Sequence, residues 1–404
     1  MKNIVGNIRK KKRDSFIAEM PQDKKGVQFE VNGHKFLMHV RMLSVNECMK
    51  LQGVPLDYDW TGITERNRYG MLGNGWQVDT ICYLLDYMPK FDRPINVLSL
   101  FDGMGCAYLA LRKKGIEINY YLSSEINKNC IKAQDNNIKE CKELVHLGSV
   151  TDVCVKDIVD KYGIPDILMG GSPCQDFSFS GTRRGMCTED KEEVYTLERY
   201  LELKNQGFTF KGQSYLFWEY KRILEELRTY NPNILFLLEN VNMKTNWEAV
   251  ISHAMGVRGV HINSNLLSAQ SRHRIYWTNF RTKQISSNLF SDYSKEDPFQ
   301  LPDIATDIPQ PEDRGLVLKD IIDDITDEKY YLDDERVNRL MRETKVEDLE
   351  DYIRDPEVSE EEVYEYLVEK GYDREIARAK AIELVSLEKD RLRRIFEGKE
   401  VFDA

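Results

Sequence analysis

The chain has 404 residues, 41% of them hydrophobic and 31% charged, with a formal net charge of −11. That fits a globular protein of one large α/β domain with small appendages, and no apolar run approaches the ~18 residues a membrane helix needs. The acidity is uneven: residues 301–404 hold 17 basic and 32 acidic side chains while the rest is net +4, so the balance does not exclude a phosphate-bearing partner.

Residues 1–90 form the opening segment. MKNIVGNIRKKKRDSF carries a basic cluster with no apolar stretch behind it, so it is not a secretory signal. The cluster fits a nucleic-acid arm or a solvated end equally well. From Ile95 to Asn279 apolar runs alternate with amphipathic helices. INVLSLF, INYYLSS, LVHLGSV, PDILMGG and NILFLLEN read as buried strands, and in SYLFWEYKRILEELRTY the residues Leu216, Phe217, Tyr220, Ile223, Leu224 and Leu227 share one face. This alternation predicts an α/β fold with a mostly parallel sheet over 91–285. Residues 286–309 read as a linker. Residues 310–404 read as an acidic helical region with a hairpin around Gly371.

Ligands of such sheets sit beyond the carboxyl ends of the strands. LSLFDGMGCAYLAL places Phe101, Gly103 and Gly105 at a strand-to-helix turn, which suits a nucleotide site or merely tight packing. Glu125, roughly 20 residues on, reads as an acceptor for ribose hydroxyls or as a helix-start charge. MGGSPCQDFSFSG after the fourth strand puts Cys174 among polar, turn-forming neighbours, where a thiolate could attack an electrophile. Cys82, Cys130 and Cys141 read as buried and inert. Eight cysteines without a Cys-x-x-Cys pair point to a reducing, cytosolic setting without a zinc site. In LLENV, Glu239 stands at the mouth of an apolar strand, partly desolvated. In QSRHRIYW, Arg272 and Arg274 are two apart, so both are expected on one face of a strand, aimed at an anion or base carbonyl or lying in exposed ion pairs.

FDGMG, SSE, GGSPCQ, ENV and QSRHR, in this order and spacing over about residues 40–280, closely resemble the motif series of the DNA cytosine-5 methyltransferases. The resemblance implies a Rossmann-like S-adenosylmethionine-dependent methyltransferase fold, S-adenosyl-L-methionine as cofactor, double-stranded DNA as partner and no resident metal. It implies a cofactor pocket of Phe101, Asp102, Gly103, Met104, Gly105, Glu125, Ile126, Ser149, Val150 and Leu216, completed by Asn74 and Trp76. On the base side it implies that Cys174 adds to carbon 6 and that Glu239 holds or protonates ring nitrogen 3. Arg272 and Arg274 would hold the base carbonyl and the active-site loop, with Ser172, Pro173, Gln175, Asn240 and Gln270 binding substrate. The target base must then be flipped from the duplex, at a cost of roughly a few kcal/mol.

RMLSVNECMKLQGVP and YGMLGNGWQV resemble the motifs that close most members of the family, yet here they open the chain, so the order looks circularly permuted. Ser149 stands where an acidic residue is usual, and Ile126 where an aromatic is common. A charged insertion lies between Gly185 and Gly212. Target recognition is expected in the acidic tail, in the basic arm with the insertion, or through a partner chain or self-association of the tail helices. The expected setting is the cytoplasm of a bacterial or phage-infected cell. The competing readings are a transfer-RNA cytosine-5 methyltransferase and a catalytically silent DNA-binding regulator.

Overall fold

The computed structural model describes residues 27–31, 34–38, 41–173, 186–189, 192–285, 297–323, 327–333 and 335–336. The basic cluster, Cys174, Gln175 and the helical hairpin expected around Gly371 lie outside the described residues. Contacts divide the chain into two units, one drawn from 1–47, 269–271 and 315–404, the other from 48–268 and 272–314.

In the first unit β1 (Val27–Val31) and β2 (His34–Met38) pair antiparallel. Glu47 ties together Arg41, Ser44 and Asp323 of the same unit. The buried Glu47 carboxylate accepts two bonds from Arg41, at 2.8 and 2.9 Å, one from the Ser44 amide and one from the Asp323 amide. A buried carboxylate persists when it is paired in this way. Arg41 and Glu47, two of the charged residues of the first opening motif, are thus a structural ion pair.

The division falls within α1 (Val45–Gln52). Then come α2 (Glu65–Asn74), α3 (Val78–Leu85), β3 (Ile95–Leu100), α4 (Cys106–Lys113), β4 (Ile118–Ser124), α5 (Lys128–Asn137) and β5 (Cys141–His146). They are followed by α6 (Val155–Tyr162), β6 (Ile167–Gly170), β7 (Cys187–Thr188), α7 (Leu197–Asn205), β8 (Phe210–Lys211), α8 (Phe217–Tyr230) and β9 (Leu235–Val241). The unit closes with α9 (Thr245–Met255), β10 (Val260–Asn263), β11 (His273–Thr278), β12 (Thr282–Gln284) and β13 (Ile304–Thr306).

Seven strands make one sheet in the order β10-β11-β9-β6-β3-β4-β5. β5, β4, β3, β6 and β9 are parallel, and β11 alone is reversed against both of its neighbours. This is the mostly parallel sheet that the alternating pattern predicts. The central strands are apolar throughout because both of their faces are covered. On α8, Phe217, Tyr220, Ile223, Leu224 and Leu227 are buried at helical spacing. Each such side chain contributes about 1.5–3 kcal/mol by leaving water.

Two stretches depart from expectation. The edge strand occupies Cys141–His146 rather than 144–150, because Gly148 at φ +74° turns the chain into a short 3-10 helix at Val150–Asp152. Within the expected linker, Ile304–Thr306 pairs with Thr282–Gln284.

β6 fits closely between β3 and α8 at Gly170, where an added β-carbon would stand 2.9 Å from the Leu100 carbonyl oxygen and 3.1 Å from the Tyr220 ring. Gly170→Ala should cost about 2 kcal/mol, as overpacking of a filled core does, and lower the melting midpoint by roughly a few degrees. A melt superimposing on the parent's would refute this.

Candidate active site

The chain lays β3, β4 and β5 outward in one direction, then returns to place β6 on the other side of β3. The topological switch between β3 and β6 is where open α/β sheets receive ligands, beyond the carboxyl ends of the strands. Just past β3, Phe101 has φ 55°, the only positive value of a non-glycine residue among the described residues, and Gly103 and Gly105 follow at 55° and 83°. A side chain held in the left-handed region costs about 1 kcal/mol or more, so this turn stores strain. Gly105 precedes α4, and no side chain caps that helix start.

The Asp102 side chain points into the protein, where it accepts bonds from Ser99 Oγ (2.6 Å), Tyr121 OH (2.7 Å) and Gln134 Nε2 (3.0 Å). Gln134 Nε2 also donates to the Gly103 carbonyl at 2.7 Å. Burial pushes the Asp102 carboxyl up to about 6, and its hydrogen-bond donors oppose this only in part. Its side chain is therefore committed to the inside of the turn. Glu125 accepts from the amides of Gly103, Ile126 and Asn127, each at 2.8 Å. Three of a carboxylate's roughly four acceptor sites are thus occupied. Beside it, Ile126 is 70% exposed. Ser124 Oγ holds the Gly148 carbonyl at 2.9 Å, joining the exits of β4 and β5. Ser149 caps the short helix that follows, while Val150 is buried in the core, with Leu216 packed against that core.

Part of the opening segment is built into this edge. Tyr58 OH donates to the Met104 carbonyl at 2.7 Å, and Gln77 caps α3 by accepting from the Thr80 amide at 2.7 Å. Arg272 donates to the carbonyls of Gly73 (3.2 Å) and Gly75 (2.9 Å). A β-carbon on Gly75 would lie 3.1 Å from Cys106 Sγ and 3.8 Å from Met104 Sδ. The Asn74-Gly75-Trp76 turn is therefore seated against Met104.

At the ends of β6 and β9, a β-carbon on Gly171 would meet Trp76 Nε1 at 2.7 Å and Glu239 Oε2 at 2.9 Å. Glu239 is 9% exposed and lies 3.1 Å from Arg274 Nε. Asn240 Nδ2 donates to Ser172 Oγ at 3.0 Å, and both residues are buried, so the bond ties the end of β9 to the loop after β6. Trp76, Gly171, Ser172, Glu239, Asn240 and Arg274 are thus brought together, with Pro173 the last described residue before Cys174. The two arginines do not share a strand face as expected. β11 starts at His273, and Arg272, lying before it, clasps the opening segment instead. Gln270 belongs to the other unit, and its buried Oε1 has no partner among the described residues.

Sequence reasoning missed Gln134, Tyr121, Ser99 and Gln77. Gln134 did leave a signal, a polar side chain at the period of Cys130 and Ala133, both buried on α5. Burial pushes the Cys106 and Cys130 thiols up to about 12 and Cys82 up to about 11, where they are inert. Cys141 is only half-buried. Among the described residues, no group of three or more His, Cys, Asp and Glu could hold a metal, and no helix is long and apolar enough to cross a membrane.

A family model described as C-5 cytosine-specific DNA methylase matches residues 1–90 and 95–397. The chain belongs to this family. DNA (cytosine-5)-methyltransferase DRM1 of Arabidopsis thaliana is 37% identical over 144 residues, covering 34% of this chain and 23% of that protein. The orphan methyltransferase M.SPRI of Bacillus phage SPR is 29% identical over 273 residues, covering 62% of this chain and 54% of its own length. The chain spans about half the length or less of these relatives.

The family turn carries a pH signature through Asp102. Its carboxyl rises from an ordinary 3.8 to about 6 on folding. Between those values the folded state holds the extra proton, so stability falls as pH rises through the window, and the penalty is complete above it. Asp102→Asn has no such dependence. From about pH 4 to about pH 7 the parent should lose on the order of 2 kcal/mol relative to Asp102→Asn in melting experiments. Parallel profiles would contradict this.

Proposed function

We propose that this chain methylates carbon 5 of cytosine in double-stranded DNA with S-adenosyl-L-methionine, using Cys174 as the nucleophile. One observation carries the reading: the buried Glu239–Arg274 pair and Trp76 border Gly171, which stands three residues ahead of Cys174, at the sheet edge that holds the glycine turn.

The edge fits such a cofactor. Phe101, Gly103 and Gly105 bring bare backbone to the uncapped start of α4, suited to a carboxylate. Glu125 retains acceptor capacity for ribose hydroxyls, and Ile126 offers an apolar face to adenine. Asn74 and Trp76, seated by Met104, border the methionine part, and Ser149, Val150 and Leu216 back the adenine end. When bound, the sulfonium supplies an electrophilic methyl group.

Carbon 5 of cytosine is a poor nucleophile until the ring's aromaticity is broken. Addition of the Cys174 thiolate to carbon 6, with the carboxyl of Glu239 donating its proton to nitrogen 3, yields an enamine that places electron density on carbon 5. Transfer of the carbon-5 proton of the methylated adduct to water then restores the 5,6 double bond and expels the thiolate, while nitrogen 3 returns its proton to Glu239. Arg274 holds the Glu239 carboxylate in place. Arg272 positions the Gly73–Trp76 turn, and Asn240 positions the loop that leads to Cys174. A free thiolate accords with the reducing cytoplasm of a bacterial or phage-infected cell.

We infer a circularly permuted order as well. The Met42 amide donates to the Tyr330 carbonyl at 2.8 Å and Arg41 bridges Tyr331, so the later stretch runs beside the start of the first opening motif, and a short connection could join them in an unpermuted chain.

Expression in a host lacking cytosine methylation, followed by bisulfite sequencing, should show protected cytosines in a fixed context, absent with Cys174→Ala. Protection in transfer RNA alone, or in neither nucleic acid, would overturn the DNA reading. A duplex bearing 5-fluorocytosine should give a protein–DNA adduct that survives denaturation, since fluorine cannot leave as a proton does. Glu239→Gln should slow methylation by roughly a hundredfold or more, and an undiminished rate would remove Glu239 from the mechanism.

A further inference from the structure

The insertion at 186–212 has no part in the site described above, yet it is firmly built in. Met186, Val194, Tyr200 and Leu203 are buried in one core with α8. At the centre lies Glu219 of α8, with no exposed surface. Its Oε1 accepts from Tyr200 OH and Lys204 Nζ on α7, and its Oε2 accepts from Arg222 Nε at 2.7 Å. The far end of the same guanidinium, Nη2, donates to the carbonyls of Val153 (3.1 Å) and Val150 (3.4 Å) in the loop after β5, while Nη1 donates to Glu226 at 2.7 Å. That loop opens at Ser149, next to the Gly148 carbonyl that Ser124 holds, and Ser124 directly precedes Glu125. Buried ion pairs are weak stabilisers compared with apolar packing of equal volume. What this one does is fix position: α7 orients Glu219, Glu219 orients Arg222, and Arg222 holds two carbonyls at the sheet's carboxyl edge.

We propose that Arg222 is a positioning residue for cofactor binding, holding the Val150–Val153 loop, and that the insertion acts on the cofactor pocket through Lys204, Tyr200 and Glu219. This rests on the cofactor reading above.

Titration of the full chain with S-adenosyl-L-homocysteine by calorimetry tests it, together with amide exchange over 149–154. Arg222→Met should bind roughly tenfold more weakly, as expected for losing charged hydrogen bonds, with faster exchange confined to 149–154 and unchanged affinity for a DNA duplex. Arg222→Lys should recover part of the loss. Lys204→Met, acting from the insertion, should weaken binding in the same direction by less, and it keeps the test available if Arg222→Met fails to fold. Unaltered homocysteine-cofactor affinity in Arg222→Lys and Lys204→Met, with only a lowered melting midpoint, would overturn the proposal. If the parent itself binds none of this probe, the cofactor reading falls first and this inference with it.

Discussion

Two adjacent glycines at the end of β6 govern how closely four parts of the chain approach. Gly170 lets Leu100 of β3 and Tyr220 of α8 close on the strand, and Gly171 leaves room for Trp76 and Glu239 to approach it together. A β-carbon at either place would stand inside 3 Å of another atom, so the spacing depends on having no side chain there. Strand packing below and site geometry above are therefore set by one dipeptide. The Asn240–Ser172 bond carries the same register one residue further.

The buried carboxylates differ in what neutralises them, and this sorts their roles. Glu47 has Arg41, Glu219 has Lys204 and Arg222, and Glu239 has Arg274. Asp102 accepts from Ser99, Tyr121 and Gln134, all neutral donors. Hydrogen bonds without an opposite charge do not repay full desolvation, which is why Asp102 titrates upward. Glu239 differs from Glu47 and Glu219 in keeping some exposure at the sheet edge, where a paired carboxylate can also meet a ligand.

The parts legible in the sequence were those whose cause is local. The Phe101–Gly105 turn, the Gly170-Gly171 exit and the Leu235–Val241 run show in their residues, because glycine and apolar runs declare backbone shape and burial directly. Partners distant in the chain do not show. Arg272 sits 199 residues from Gly73 and 197 from Gly75, and a two-residue spacing with Arg274 could reveal neither carbonyl. The edge strand lies earlier than its apolar residues suggest because Cys141–His146 is half-buried or exposed along its whole length and offers no apolar run, while the apolar residues of 144–150 extend past the glycine that ends it. Glu125 offered two readings from sequence, and its bonds to the Ile126 and Asn127 amides give the helix-start reading its geometry without using up the carboxylate.

The clasp between the opening segment and residues 264–272, ahead of β11, is held by two kinds of interaction. Closing a loop of about 200 residues costs roughly 2–3 kcal/mol more than closing one of ten, by the logarithmic growth of loop entropy. The two bonds from Arg272, with Ser268 Oγ to the Leu51 carbonyl and Thr80 Oγ1 to Ser264 Oγ, each contribute on the order of 1 kcal/mol net, enough only to offset that entropy. Burial of Val78, Ile81, Leu84 and Leu85 on α3 contributes about 1.5–3 kcal/mol for each side chain and exceeds it several-fold. Apolar burial therefore decides that the segment docks. The directional bonds add position to that burial, with Arg272 fixing the Gly73 and Gly75 carbonyls and Thr80 fixing α3 against Ser264, and in this arrangement Trp76 Nε1 and Glu239 Oε2 both border Gly171.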